Sequence, residues 1–140
     1  MKIIFVCTGN TCRSPMAESI AKAKIPNYDF ESRGIFALDG QPTSQNSLSI
    51  IQAHQLPMPG PATRFTEDDL AADLILTMSE SHKQTIKEMY GDPGHIYTVN
   101  EYVERSGEIT DPFGGTLDDY NKIYNELNFM VDTLKNKILK

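Results

Sequence analysis

The sequence predicts an α/β fold: a three-layer sandwich with a four-stranded parallel sheet flanked by helices. Three observations carry this. Apolar, β-rich runs of strand length, KIIFV from Lys2 and DLILTM from Asp73, read as strands buried on both faces, as in a parallel sheet. Helical segments separate the successive strands, the pattern of a sheet covered on both sides. Pro15 opens a helix directly after the turn CTGNTCRS that leaves the first run, and proline suits a first helical turn.

Element by element, residues 2–6 form the first strand, and the helix led by Pro15 runs through MAESIAKAK to Pro26. Residues 29–36 (DFESRGIF) alternate as a second strand. Residues 44–55 are helical, and the proline-rich LPMPGPATR after them is loop. Thr66 caps a short helix over TEDDL with an acidic first turn. Residues 73–78 are the third strand, SESHKQTIKEMY a helix, and residues 95–99 the fourth strand. The last helix starts at Thr116, with Leu117, Tyr120, Tyr124, Leu127, Val131, Leu134 and Ile138 on one apolar face. Its first-turn acids, Asp118 and Asp119, suit the helix dipole, a substrate contact being the other role open to them. A chain of 140 residues reads as one domain spanning 1–140.

Composition narrows the function. With 39% hydrophobic and 23% charged residues the chain is ordinary globular, and a net charge of -6 argues against a nucleic-acid partner. It does not exclude a small anion held by local groups. The apolar run after Lys2 is too short for a signal peptide, and no stretch reaches membrane-spanning length, so the reading is a cytoplasmic protein without a membrane partner; a monomer is the expected state, although the sequence itself does not give it. Thiols stay reduced there, so Cys7 and Cys12 read as reactive or metal-binding, not as a staple.

Ligands of such sheets bind at the strands' C-terminal ends, where CTGNTCRS lies. A strand, a glycine-containing turn and a helix N-terminus bring backbone N–H groups and the positive end of the helix dipole to one point. Thr8, Gly9, Asn10, Thr11 and Cys12 thus form an anion cradle, although neither GxxxxGK[ST] nor GxGxxG is present. Arg13, five residues beyond Cys7, can grip two oxygens of a tetrahedral oxyanion. An electropositive cradle favours a thiolate, which beneath a bound phosphate is a nucleophile toward phosphorus. Ser14 can donate a hydrogen bond to that sulfur, and Asn10 tolerates left-handed backbone and can lock the loop. Buried apolar cysteines fit this polar turn poorly. A zinc site needs about four ligands, and His54, His82 and His95 have no recognisable spacing. A non-catalytic phosphate-binding module remains as an alternative.

VCTGNTCRSPMAE resembles the opening signature of the low-molecular-weight protein tyrosine phosphatases, and DPFGGTLDDY from Asp111 resembles that family's general-acid loop. SRGIF, HQLPM and DLILTMSESH lie between them in the family's order, so the resemblance covers essentially the whole chain. It implies phosphoprotein substrates, a phosphate loop after strand 1, and neither cofactor nor metal. It makes Cys7, Arg13 and Asp111 the catalytic residues and matches His54 to a position that supports the phosphate loop from behind, a satisfied core role being at least as open to a lone histidine. On chemistry alone, Asp111 can protonate the leaving group and then activate water, help worth about 10²–10⁴-fold. Cys12 reads as a redox guard able to condense with an oxidised Cys7. Arg33, where members often have a small residue, and Gly60, where some have a histidine, depart from the pattern.

Tyrosine-directed members commonly carry an aliphatic residue at the position of Thr11. GNTCRSPMAE with DPFGG instead resembles the bacterial branch acting on phosphoarginine in proteins. A threonine suits a flat polar guanidinium better than a phenyl ring, so the reading is protein-arginine phosphatase, with protein-tyrosine phosphatase as alternative. Arsenate reductases of this fold relay electrons through further cysteines, and none follows Cys12.

Overall fold

The computed structural model describes residues 1–139. In chain order the elements are β1 (Lys2–Cys7), α1 (Arg13–Lys24), β2 (Asp29–Gly34), α2 (Gln45–Ala53), a 3₁₀ turn (Glu67–Ala71), β3 (Leu74–Thr77), α3 (Glu80–Tyr90), β4 (Ile96–Thr98), α4 (Val99–Tyr102) and α5 (Leu117–Ile138). The strands form one four-stranded sheet in the order β2-β1-β3-β4, every pair parallel. This is the predicted sandwich.

The alternation within β1 explains the layers. Ile3, Phe5 and Cys7 point into a core shared with Met16, Ala17 and Ile20 of α1, Ile50 and Ile51 of α2, and Leu127, Met130, Val131 and Leu134 of α5. Ile4 and Val6 point the other way, against Ile75, Ile86 of α3, Ile96 and Phe65. Burying one such side chain contributes about 1.5–3 kcal/mol, so a central strand without a polar residue between Ile3 and Val6 has no stable position except inside. The chain leaves β1 to reach β2 on one side and later β3 on the other. The C-terminal end of β1 is therefore a topological switch point, where open α/β sheets bind ligands.

Several local expectations are corrected. The second strand ends at Gly34, and the fourth at Thr98. Val99 instead opens α4, because Thr98 and Glu101 form a reciprocal capping box that starts a helix there. On α5, Tyr120, Tyr124, Leu127, Val131 and Leu134 are buried as expected, but Leu117 is 46% exposed at the helix's first residue. Ile123 and Met130 widen the buried stripe instead. Asp119 belongs to a capping box with Thr116, while Asp118 is exposed in the first turn. No helix among the described residues is long and apolar enough to cross a membrane.

Candidate active site

The segment between β1 and α1 curls over the sheet's C-terminal edge, and its carbonyl groups face away from the space it encloses. The Cys7 carbonyl accepts from Ile35 N–H at 3.0 Å, that of Thr8 from Phe36 N–H at 2.9 Å, and that of Thr11 from Ser44 N–H at 2.8 Å. Among the described residues the N–H groups of Gly9, Asn10, Thr11 and Cys12 donate to no carbonyl or side chain. Free amides curled about one point at a helix N-terminus are an anion site by construction.

Asn10 fixes that shape. Its φ of 56° lies in the left-handed region, which asparagine tolerates better than most residues. Both polar atoms of its buried side chain are engaged: Oδ1 accepts from Thr63 N–H at 2.8 Å, and Nδ2 donates to Ser14 Oγ at 2.8 Å and to Ser32 Oγ at 2.9 Å. Ser32 in turn donates to Glu18 Oε1. Because Asn10 donates into Ser14, the Ser14 hydroxyl must send its own proton elsewhere. Cys7 Sγ at 2.9 Å is nearer than the Arg33 carbonyl at 3.4 Å. A Cys7 thiolate can only accept, and Ser14 is then the hydroxyl within reach to donate to it.

Gly34 lies beside Cys7 in the parallel register. A Cβ there would come within 2.7 Å of Asn10 N and 2.8 Å of both Gly9 C and Thr8 O, so only glycine lets the loop lie against β2. From the β3 side, buried His82 of α3 reaches Thr8 Oγ1 with Nε2 at 2.9 Å and Ser79 Oγ with Nδ1 at 3.0 Å. Burial first, then the nearby Arg13 guanidinium, hold His82 down to about 4, against Asp111 and Glu108. The ring is therefore neutral at neutral pH.

Arg13 is buried to 5% exposure and ties this loop to the second motif. One guanidinium nitrogen donates to the Ile109 carbonyl at 2.9 Å, and another lies 3.7 Å from Asp111 Oδ2. Asp111 is half-exposed, its other oxygen accepting from Phe113 N–H at 3.0 Å in the turn that Pro112 begins. A cleft of about 250 Å³ lies between the two loops, lined by Cys7, Thr8, Gly9, Thr11, Cys12, Arg13, Gln41, Asp111 and Phe113. The candidate residues from the two motifs thus converge, with Asn10 and Ser14 behind the wall.

Cys12 and Cys7 are both free and buried. Cys12 Sγ lies 3.3 Å from the Tyr120 hydroxyl and donates to Ser44 Oγ at 3.5 Å. Burial, and then that contact with Cys12, push the Tyr120 phenol up to about 12. His54 is a correction: it is exposed at the end of α2 and stacks on Tyr124 at 4.1 Å between ring centroids, not behind the phosphate loop. His82 takes up the support role, through Thr8. Arg33 pairs with Glu31 and Asp69 and reaches the site only through its backbone carbonyl. Gly60 has nothing within 4 Å of where a Cβ would stand. Sequence reasoning missed His82, Gly34, Ser32, Glu18, Gln41 and the 79%-exposed Phe113 as site residues. The quoted strings SRGIF, DLILTMSESH and DPFGG held four of them in view. Among the described residues no group of three or more His, Cys, Asp or Glu is placed to hold a metal ion.

Comparison with known proteins identifies the family. The Staphylococcus epidermidis protein named low molecular weight protein-tyrosine-phosphatase PtpB is 52% identical over 137 residues, covering 98% of this chain and 99% of that one. A structure of YwlE arginine phosphatase, a cysteine-to-serine mutant with a phosphorylated active-site serine, superposes with a TM-score of 0.96 at 34% identity, covering 100% of this chain and 97% of the other. The tyrosine phosphatase Wzb from Escherichia coli K30, in complex with sulphate, gives 0.89 at 26% identity, covering 98% and 97%. Residues 2–140 match the family model described as low molecular weight phosphotyrosine protein phosphatase. A cysteine under a ring of free amides, facing an arginine and an Asp-Pro loop, is thus found in a chain that belongs to the low-molecular-weight protein tyrosine phosphatase family.

Proposed function

We propose that this phosphatase acts on phosphoarginine in proteins, through a phosphocysteine on Cys7. The observation that carries the catalytic reading is the setting of Cys7: its sulfur lies 2.9 Å from the Ser14 hydroxyl, which Asn10 holds in place, beneath the free amides of the loop. A thiolate formed there would be met by that hydroxyl and those amides, both as attacking nucleophile and as leaving group.

In the first step Cys7 Sγ attacks phosphorus while the bond from phosphorus to the substrate nitrogen breaks, and Asp111 gives its proton to that nitrogen. Arg13 and the amides of Gly9 to Cys12 hold the phosphoryl oxygens as their charge grows. In the second step water attacks phosphorus, Asp111 takes the water's proton, and the S–P bond breaks to release inorganic phosphate. Ser14 then stabilises the departing thiolate. Protein substrates fit the open cleft, and Cys12, on its wall, guards Cys7 against over-oxidation by forming a disulfide.

Two points support arginine over tyrosine. Thr11, a polar residue, lines the cleft, and Gln41 adds a second polar side chain to the lining, which suits a flat polar guanidinium. The structural relative named an arginine phosphatase superposes at 0.96. The second reading, phosphotyrosine, is favoured by exposed Phe113 at the rim, which an aromatic ring could stack against, and by the 52%-identical relative's name. The test is turnover of matched phosphoarginine and phosphotyrosine peptides by the native enzyme and by Thr11→Ile. The arginine reading expects higher kcat/KM on phosphoarginine, and a shift of the ratio toward phosphotyrosine by about one to two decades in the variant. A native enzyme preferring phosphotyrosine overturns it.

A further inference from the structure

We propose that Thr8 is a second specificity-determining residue of the cleft, holding a fixed hydrogen-bond acceptor toward a substrate N–H group, with His82 as the positioning residue that fixes it. The inference rests on the reading of a phosphorylated guanidinium as substrate.

Thr8 is exposed, follows the nucleophile directly, and lines the cleft. Its side-chain hydroxyl is tied to His82 Nε2 at 2.9 Å. That tie is not needed to hold the loop's backbone, since the Cys7 and Thr8 carbonyls are already pinned by the N–H groups of Ile35 and Phe36. What the bond does is stop the Thr8 side chain from rotating. A free threonine rotor turns its methyl or its hydroxyl to the cleft; a bonded one keeps Oγ1 where the imidazole is.

Counting donors then defines the chemistry. A neutral imidazole has one donor and one acceptor nitrogen. Burial and Arg13 keep His82 neutral, Asp111 and Glu108 being the groups that oppose them. If Nε2 donates to Thr8, Oγ1 retains one lone pair and its own proton. If Nε2 accepts from Thr8, Oγ1 retains both lone pairs. Either tautomer leaves at least one acceptor unused by the protein. A guanidinium leaving group carries several N–H donors to meet it, whereas the edge of a phenyl ring carries none. Ser79 completes the arrangement: it caps α3 by accepting from His82 N–H at 3.4 Å and bonds Nδ1 at 3.0 Å, so the ring's own orientation is fixed from behind.

The experiment measures kcat/KM on phosphoarginine and phosphotyrosine peptides of identical flanking sequence. It compares the native enzyme with Thr8→Val, His82→Leu, the double variant and His82→Gln. Thr8→Val keeps the side chain's shape on an exposed position, so it folds, and should lower the phosphoarginine-to-phosphotyrosine ratio about tenfold. His82→Leu should lower the ratio in the same direction. The double variant should fall no further than Thr8→Val, the non-additivity expected of residues acting through one contact. His82→Gln, which can still bond Thr8, should restore most of the ratio. A Thr8→Val ratio within twofold of native overturns the proposal, and effects that multiply in the double variant overturn the part assigned to His82. A native enzyme that leaves phosphoarginine untouched instead overturns the substrate reading and this inference with it. That outcome is seen before any variant is compared.

Discussion

Replacing Gly34 by alanine puts a methyl group where the phosphate loop's backbone already lies. The closest contact would be 2.7 Å, to Asn10 N, about 0.7 Å short of the 3.4 Å at which ordinary van der Waals contact begins. The other two, to Gly9 C and Thr8 O at 2.8 Å, are also backbone, so no side-chain rotation relieves the clash. Either β2 or the loop must retreat. β2 is held by six register pairs to β1, whereas the loop is held by its carbonyl anchors and Asn10, so the loop gives way. Overpacking of this kind costs about 1–3 kcal/mol. For a chain of this size that is a Tm fall of roughly 3–10 °C.

The functional cost should exceed the stability cost. A loop displaced by several tenths of an ångström misaims the amides and Cys7 together, and misplacement of about 1 Å costs on the order of 10²-fold. Gly34→Ala should therefore lower kcat/KM at least tenfold on any phosphoester or phosphoramidate. It should also weaken inhibition by inorganic phosphate, which reports the cradle without the chemistry. Gly60→Ala is the control, since nothing lies within 4 Å of its Cβ position. Thermal melts and phosphate titrations on both variants decide the matter. A Gly34→Ala protein with native kcat/KM and native phosphate affinity would refute the claim that β2 shapes the cradle.

Asp111→Asn should slow turnover of the peptides by about 10²–10⁴-fold and that of an aryl phosphate with a strongly acidic leaving group much less, measured by steady-state rates on both; equal losses remove Asp111 as proton donor. Cys12→Ser should reduce the fraction of activity that dithiothreitol recovers after peroxide treatment, because Cys7 then has no partner thiol to trap its sulfenic acid; recovery equal to native refutes the guard role. His82, held at about 4 against an ordinary 6.5, makes the native state bind fewer protons than the unfolded chain between those values. Stability should be fully present above about pH 6.5 and fall by up to about 3 kcal/mol as pH drops toward 4. Urea unfolding at several pH values should show that loss reduced in His82→Gln, and a pH dependence identical to native would assign the loss to other groups.

What the sequence made legible was what its neighbours in sequence determine. The strand–turn–helix at Cys7 to Ser14, the Asp-Pro turn at Asp111 and the apolar stripe of α5 are each set by contiguous sequence, where periodicity, proline and capping chemistry act. The supports of the site are set by register instead. Gly34 matters because β2 pairs in parallel with β1 so that it stands beside Cys7, and nothing in SRGIF fixes that pairing. His82 matters because Val6 pairs with Thr77, which brings the corner after β3 level with the loop after β1, across 74 positions of sequence. His54 fails for the same reason: the resemblance supplied a role, but this chain's α2 delivers the ring to Tyr124. Arg13 joins the two kinds of information. Its place in the motif is local, while its bond to the Ile109 carbonyl exists only because Ile109 N–H is itself pinned to Met78 at the end of β3. The sheet thus relates the two motifs: β1 carries Cys7, the carbonyl just after β3 anchors the segment that leads to Asp111, and the pairing of those adjacent strands brings the two loops to face each other across the cleft.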